Sequence, residues 1–112
     1  MDDLLHQLII NTLETHKAQD VVFLDTSSFS TIFDSMIVAS VGNPRHVQAL
    51  GRYLVEALRK DKYQIVGVEG EGDGNWILID AGVTIIHIML TEVREYYAIE
   101  ELWNKSPGSS RK

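Results

Sequence analysis

The sequence predicts an α/β domain: a five-strand mixed sheet with helices packed mainly on one face. Three observations carry this. Two long segments repeat apolar residues at intervals of three and four, the period of a helix with one buried stripe. Short runs rich in β-branched residues stand between turn residues elsewhere. The two kinds of segment alternate along the chain, which places helices over a sheet rather than in a bundle of their own.

The first helix spans Asp3 to Lys17, with Leu4, Leu5, Leu8, Ile9 and Leu13 forming its stripe and Asp2 and Asp3 suited to its N-terminal end. Val21-Val22-Phe23-Leu24 reads as a strand, and Thr26 to Ser30 as a loop in which hydroxyl side chains compete for backbone groups. Asp34 to Val41 reads as a largely buried second strand. Gly42-Asn43-Pro44 is the sharpest local signal. Gly permits a tight turn, Asn43 can cap free amides, and Pro44 sits where a first helical residue loses nothing by lacking an N–H. The helix it opens runs from Arg45 to about Lys60, burying Val47, Leu50, Leu54 and Leu58, with Arg59, Lys60 and Lys62 near the negative end of its dipole.

A strand over Gln64 to Val68 completes a crossover unit, expected to be right-handed with its two strands parallel. The acidic, glycine-rich Glu69 to Gly74 connects to Trp76–Asp80 and Thr84–Leu90, an antiparallel pair turned at Ala81-Gly82-Val83. Thr91 with Glu92 and Glu95 opens a helix ending near Tyr97, and Ile99 to Asn104 adds a short helical turn. Residues 1–105 thus form one domain, and 106–112 are expected to be a disordered tail. There is no internal repeat.

At 112 residues the chain can bury roughly two thirds of its unfolded surface, enough for a core without staples. It has no Cys, which removes disulfides, thiolate ligands and a thiol nucleophile. The net charge of −6 argues against direct nucleic-acid recognition, which rests on clustered Lys and Arg, and favours a basic protein partner. No apolar run approaches the roughly 20 residues that cross a bilayer, and the start is acidic where a signal peptide is basic. The expectation is a soluble protein with no membrane partner, in the cytoplasm, or in an organellar matrix if the host is a eukaryote.

Alternation along the fourth strand puts Trp76, Leu78 and Asp80 on one side and Ile77 and Ile79 on the other. Only the second set is purely aliphatic, so it belongs to the helix-covered core. The first set is then left on an uncovered face with Ile85, His87 and Met89, an apolar centre with a polar rim in the manner of a protein interface. An equally simple reading has Trp76 covering a sheet edge or packing under a helix. His87 lacks partners at metal-ligand spacing, since His6, His16 and His46 fall on other elements, so a structural or interface imidazole is expected. Asp34 and Asp80 stand at strand ends without an Asp-x-Asp pair. The glycines at 70, 72 and 74 are interrupted by Glu71 and Asp73, which repel phosphate, and no Gly-Lys-Ser/Thr follows. Arg45 and His46 at a helix start, with Arg52, could touch an anion, though a solvated face is the usual outcome. On the last helix at least one tyrosine should face the core and a charge or two face outward, with Arg94 pairing locally with Glu95 or Asp80.

Gly42-Asn43-Pro44-Arg45-His46-Val47-Gln48-Ala49, Val68-Glu69-Gly70, Trp76-Ile77-Leu78-Ile79-Asp80, Val83 to Leu90, and Glu92 to Tyr97 through Leu102-Trp103 together resemble the ribosomal silencing factor family, also called Iojap. The likeness spans about Leu4 to Asn104, in order and with the family's spacing. It implies a fold similar to nucleotidyltransferases without their catalytic carboxylates, no enzymatic activity and no cofactor. It also implies docking on large-subunit ribosomal protein fourteen, at the face of the large ribosomal subunit where the small subunit joins, with translation repressed as a result. Family members often form homodimers, and organellar relatives assist large-subunit assembly. The family pattern marks Trp76, Leu78, Asp80, His87, Glu92, Arg94, Glu95 and Tyr97 as partner-binding positions, while Arg45-His46 stands where many relatives carry two basic residues. Two other readings stay open: a divergent magnesium-dependent nucleotidyltransferase using Asp34 and Asp80, and a homodimeric scaffold.

Overall fold

The computed structural model describes residues 3–28, 31–72 and 74–97. The helical turn expected at 99–104 and the tail at 106–112 lie outside these residues. The elements are α1 (Asp3–Thr15), β1 (Gln19–Asp25), β2 (Ser35–Val41), α2 (Pro44–Lys60), β3 (Gly67–Glu69), β4 (Trp76–Asp80), β5 (Thr84–Leu90) and α3 (Thr91–Tyr97). They build a five-stranded sheet in the order β1-β2-β5-β4-β3, in which only β2 and β5 pair parallel. The architecture is the mixed α/β sheet the sequence predicts.

Local chemistry sets the element ends. Asn43 caps α2, its side-chain oxygen accepting from His46 N–H at 2.8 Å, and Pro44 occupies the first turn. At the far end Lys62 takes a left-handed φ of 67° while Tyr63 N–H reaches back to Leu58 O at 2.9 Å, which stops the helix. The same device ends α1, where Lys17 has φ 73° and Ala18 N–H bonds Leu13 O.

The third strand departs from expectation. It starts at Gly67 rather than Gln64 and lies at the sheet edge, with β4 its neighbour. Following the pairings from β2 through β5 and β4, β3 runs in the same direction as β2, but two strands separate them. Of the three residues before it, Val66 donates its N–H to Asp80 O, at 2.7 Å.

One core fills the space between α1, α2 and the sheet. Ile37, Ala39 and Val41 of β2, Ile86 and Ile88 of β5, and Ile77 and Ile79 of β4 meet Leu5, Ile9, Leu13, Val47, Leu50, Leu54 and Leu58. Gly51 lets α2 approach β4 closely: a Cβ there would stand 2.9 Å from Ile77 Cδ1. At the lower edge of this layer His6 Nε2 lies 3.0 Å from the hydroxyls of both Ser35 and Thr84, which are themselves 2.7 Å apart. This buried triangle ties α1 to the ends of the central strands. His46 Nε2 donates to His16 O at 2.8 Å, and His16 stacks on Tyr53, so these histidines join α1 to α2.

A candidate interaction surface on the second sheet face

The other face of the sheet carries the alternate residues. The register sets Trp76 opposite Met89, Leu78 opposite His87 and Asp80 opposite Ile85, and across the parallel pair it sets Met36, Val38 and Ser40 beside Ile85, His87 and Met89. The predicted grouping of Trp76, Leu78 and Asp80 with Ile85, His87 and Met89 is therefore the observed one.

The face is not uncovered, however. Leu24, Met36, Val38 and Met89 form a second buried cluster, packed against Phe33, Val93 and Trp76. His87 is 5% exposed and Ile85 9%. Helix α3 folds back from the end of β5 and closes over β2 and β5 with Val93 and Arg94. What remains half-open is the β4 side, where Trp76, Leu78 and Asp80 are each of intermediate burial. The physical reason is connectivity: only one residue boundary separates β5 from α3, so the helix must lie over the strands nearest its start.

Helix α3 turns two charges outward as expected but buries Arg94 in place of a tyrosine. Arg94 is the buried residue, 8% exposed, while Tyr96 and Tyr97 are 81% and 54% exposed. Arg94 Nη1 donates to Ser40 Oγ at 3.2 Å and reaches Gln19 O at 3.5 Å. The guanidinium sits where β1 slips register between Gln19 and Val22, with Asp20 at φ 51°, and there it joins the Ser40 hydroxyl in donating to the Gln19 carbonyl. Glu92 and Glu95 point to solvent.

Trp76 is held in place by its polar edge. Its Nε1–H donates to His87 Nδ1 at 2.9 Å, which places the imidazole proton, in a neutral ring, on Nε2. The Tyr97 ring leans on the indole with centroids 5.1 Å apart, and Tyr96 meets Tyr97 edge-on. One side of Trp76 opens into a shallow depression of about 260 Å³ shared with Glu69, Gly70 and Leu78. Asp80 serves the β4–β5 turn, its Oδ1 accepting from Gly82 N–H at 2.9 Å. That is the turn role a lone Asp beside a strand commonly plays.

The structure thus brings Trp76, Leu78, Asp80 and His87 together on one face, with Tyr97 against the indole, while Glu92 and Glu95 are exposed on α3. Arg94 shares the helix but turns into the protein. Glu69 and Tyr96 belong to the surface and were not among the expected positions; the β3–β4 register is what puts Glu69 beside Leu78. Asp34 is exposed, its backbone N–H bonding Val83 O, and no group of three or more His, Asp or Glu suited to a metal occurs among the described residues. No helix among them is long and apolar enough to cross a membrane.

Comparison with known proteins agrees with this architecture. The profile of a family described as "Ribosomal silencing factor during starvation" matches residues 2–112. A ribosomal silencing factor of Chromobacterium violaceum is 42% identical over 99 residues, which cover 88% of this chain and 81% of that one. The mouse protein named "Mitochondrial assembly of ribosomal large subunit protein 1" is 31% identical over 101 residues, covering 86% of this chain and 43% of that protein. A crystal structure of a Chromobacterium violaceum protein superposes with a TM-score of 0.90 at 39% identity, covering 100% of this chain and 94% of that one. This chain belongs to the ribosomal silencing factor family.

Proposed function

We propose that the chain docks through the β4 side of its second sheet face onto protein fourteen of the large ribosomal subunit, and that occupying this intersubunit surface prevents the small subunit from joining. Translation falls as a consequence. Family membership supports the ribosomal partner, and a mouse relative is named for large-subunit assembly. The observation that carries the choice of surface is Trp76: an indole fixed on its polar edge by buried His87 and flanked by an exposed tyrosine, with an open side. Rigid amphipathic aromatics of this kind supply large contact area with little ordering entropy, which is why they dominate hot spots.

The mechanism is steric. A 12.6 kDa body bound where two subunits meet needs no bond-making step, only affinity that outcompetes subunit joining. The overall charge of −6 suits approach to a basic ribosomal protein and opposes nonspecific capture by RNA phosphates.

Co-sedimentation with isolated large subunits tests this. Trp76→Ala should weaken binding by about 2 kcal/mol or more, roughly thirtyfold, with the fold intact. Asp80→Asn keeps the turn acceptor and removes the charge, so any loss it causes reports on the rim alone. Full binding by a folded Trp76→Ala chain would remove the proposed surface.

A further inference from the structure

The Val68-Glu69-Gly70 segment packs Val68 against the main core and turns Glu69 to the other face, and its geometry is specific. Glu69 pairs with Leu78 across the β3–β4 ladder, so its side chain shares a face with Leu78 and stands diagonal to Trp76. Gly70 has φ 86°, and a Cβ there would lie 2.1 Å from Trp76 O, so only glycine lets the chain leave β3 hard against the tryptophan backbone. The result is the depression of about 260 Å³ lined by Glu69, Gly70, Trp76 and Leu78. It has an indole wall, an aliphatic wall, a floor bared by a glycine, and one exposed carboxylate. No Lys or Arg lines it, and nothing among the described residues forms an ion pair with Glu69.

We infer that this depression receives a single lysine or arginine side chain from the partner protein. Such a side chain has the matching order of parts: an apolar stem for Leu78 and Gly70, and a cation for the indole face and the Glu69 carboxylate. A cation within about 6 Å of an indole centroid gains more as water is excluded, and a carboxylate partner adds a charge-assisted hydrogen bond. A phosphate or an acidic peptide would meet Glu69 as a like charge. The inference deepens the proposed function and rests on it for the partner's identity, but the chemistry of the depression stands apart from that identity. It makes Glu69 a specificity-determining residue.

The experiment has two arms. In a Trp103→Phe background, where Trp76 is the sole tryptophan, indole emission is followed while a glycine-flanked lysine or arginine peptide is titrated, with norleucine and citrulline peptides as neutral counterparts. The cationic peptides should shift the emission, the neutral ones should not, and Glu69→Gln should abolish the response. Equal shifts from cationic and neutral peptides, no shift from any, or an unaltered response in Glu69→Gln would overturn the inference. In the second arm Glu69→Gln should weaken binding to isolated large subunits about tenfold and flatten its salt dependence, with Glu69→Lys weaker still. A positive peptide arm beside a wild-type chain that ignores large subunits would sink the proposed function and leave the cation site standing.

Discussion

The two faces of the sheet are made from the same strands and differ in every other residue, yet they behave as different materials. On the α1–α2 side Ile77 is 2% exposed, and Ile79, Ile86 and Ile88 are sealed, all aliphatic. One residue along, the α3 side mixes Met, Val, His, Ser and Trp, and closes over β2 and β5 while staying half-open over β4. The contrast teaches where specificity can live. A face filled with interchangeable aliphatic groups holds the fold together. A face whose polar atoms each need a named partner fixes a small number of side chains in one orientation, and that is what recognition needs.

The largest expected difference between the faces is in stability. Ile79→Ala should lose about 2–5 kcal/mol, since the cavity it leaves lies between α2 and the sheet, whereas Leu78→Ala should lose roughly 1 kcal/mol or less because solvent already reaches that site. Denaturant melts of the two variants measure this directly, and equal losses would erase the contrast.

Next comes Arg94, which lies within the second face rather than on it. Arg94→Met should destabilise by about 1–3 kcal/mol, because Ser40 Oγ loses the guanidinium N–H it accepts and Gln19 O keeps only the Ser40 hydroxyl, while Glu95→Ala on the same helix should stay within about 0.5 kcal/mol. The same melts decide it. A smaller change is expected for His87→Leu: a part-buried indole N–H without its acceptor should cost about 1 kcal/mol, with altered Trp76 emission in the Trp103→Phe background. The smallest effect belongs to the exposed rim. The Ser27 hydroxyl and backbone N–H hold the Asp25 carboxyl below its ordinary range. A depressed carboxylate contributes stability above its unfolded pKa and loses it as pH falls through the folded value. Asp25→Ala should therefore lower the melting temperature slightly at neutral pH and converge with the wild type in acid.

Much of this was legible in the sequence for physical reasons. Alternation of two purely aliphatic residues with Trp, Leu and Asp assigned the faces of β4, and Asn43-Pro44 fixed the start of α2, because those signals are local and steric. Strand order was not legible. The β2–β5 pairing joins Ser35 to Thr84, 49 residues apart, and no local pattern encodes which buried strand becomes a parallel neighbour. The burial of Arg94 was hidden for a related reason. Its partners, Ser40 Oγ and the Gln19 carbonyl, lie on β2 and β1 where the register slips, and on a seven-residue helix the sequence offers charge as its main cue, which points outward. Coverage of the second face by α3 follows from the short join at Leu90-Thr91, a constraint that becomes visible once the strand order is known.

The most direct measurement sets the two outer surfaces against each other. A photoreactive benzoylphenylalanine is placed at Leu78, on the half-open face, or at Tyr53, which is 44% exposed on α2, and each chain is irradiated with isolated large subunits. Cross-linking from position 78 to a large-subunit protein and none from position 53 is the expected result. The reverse pattern would contradict the account, since the ribosome would then be reading the helices and not the sheet.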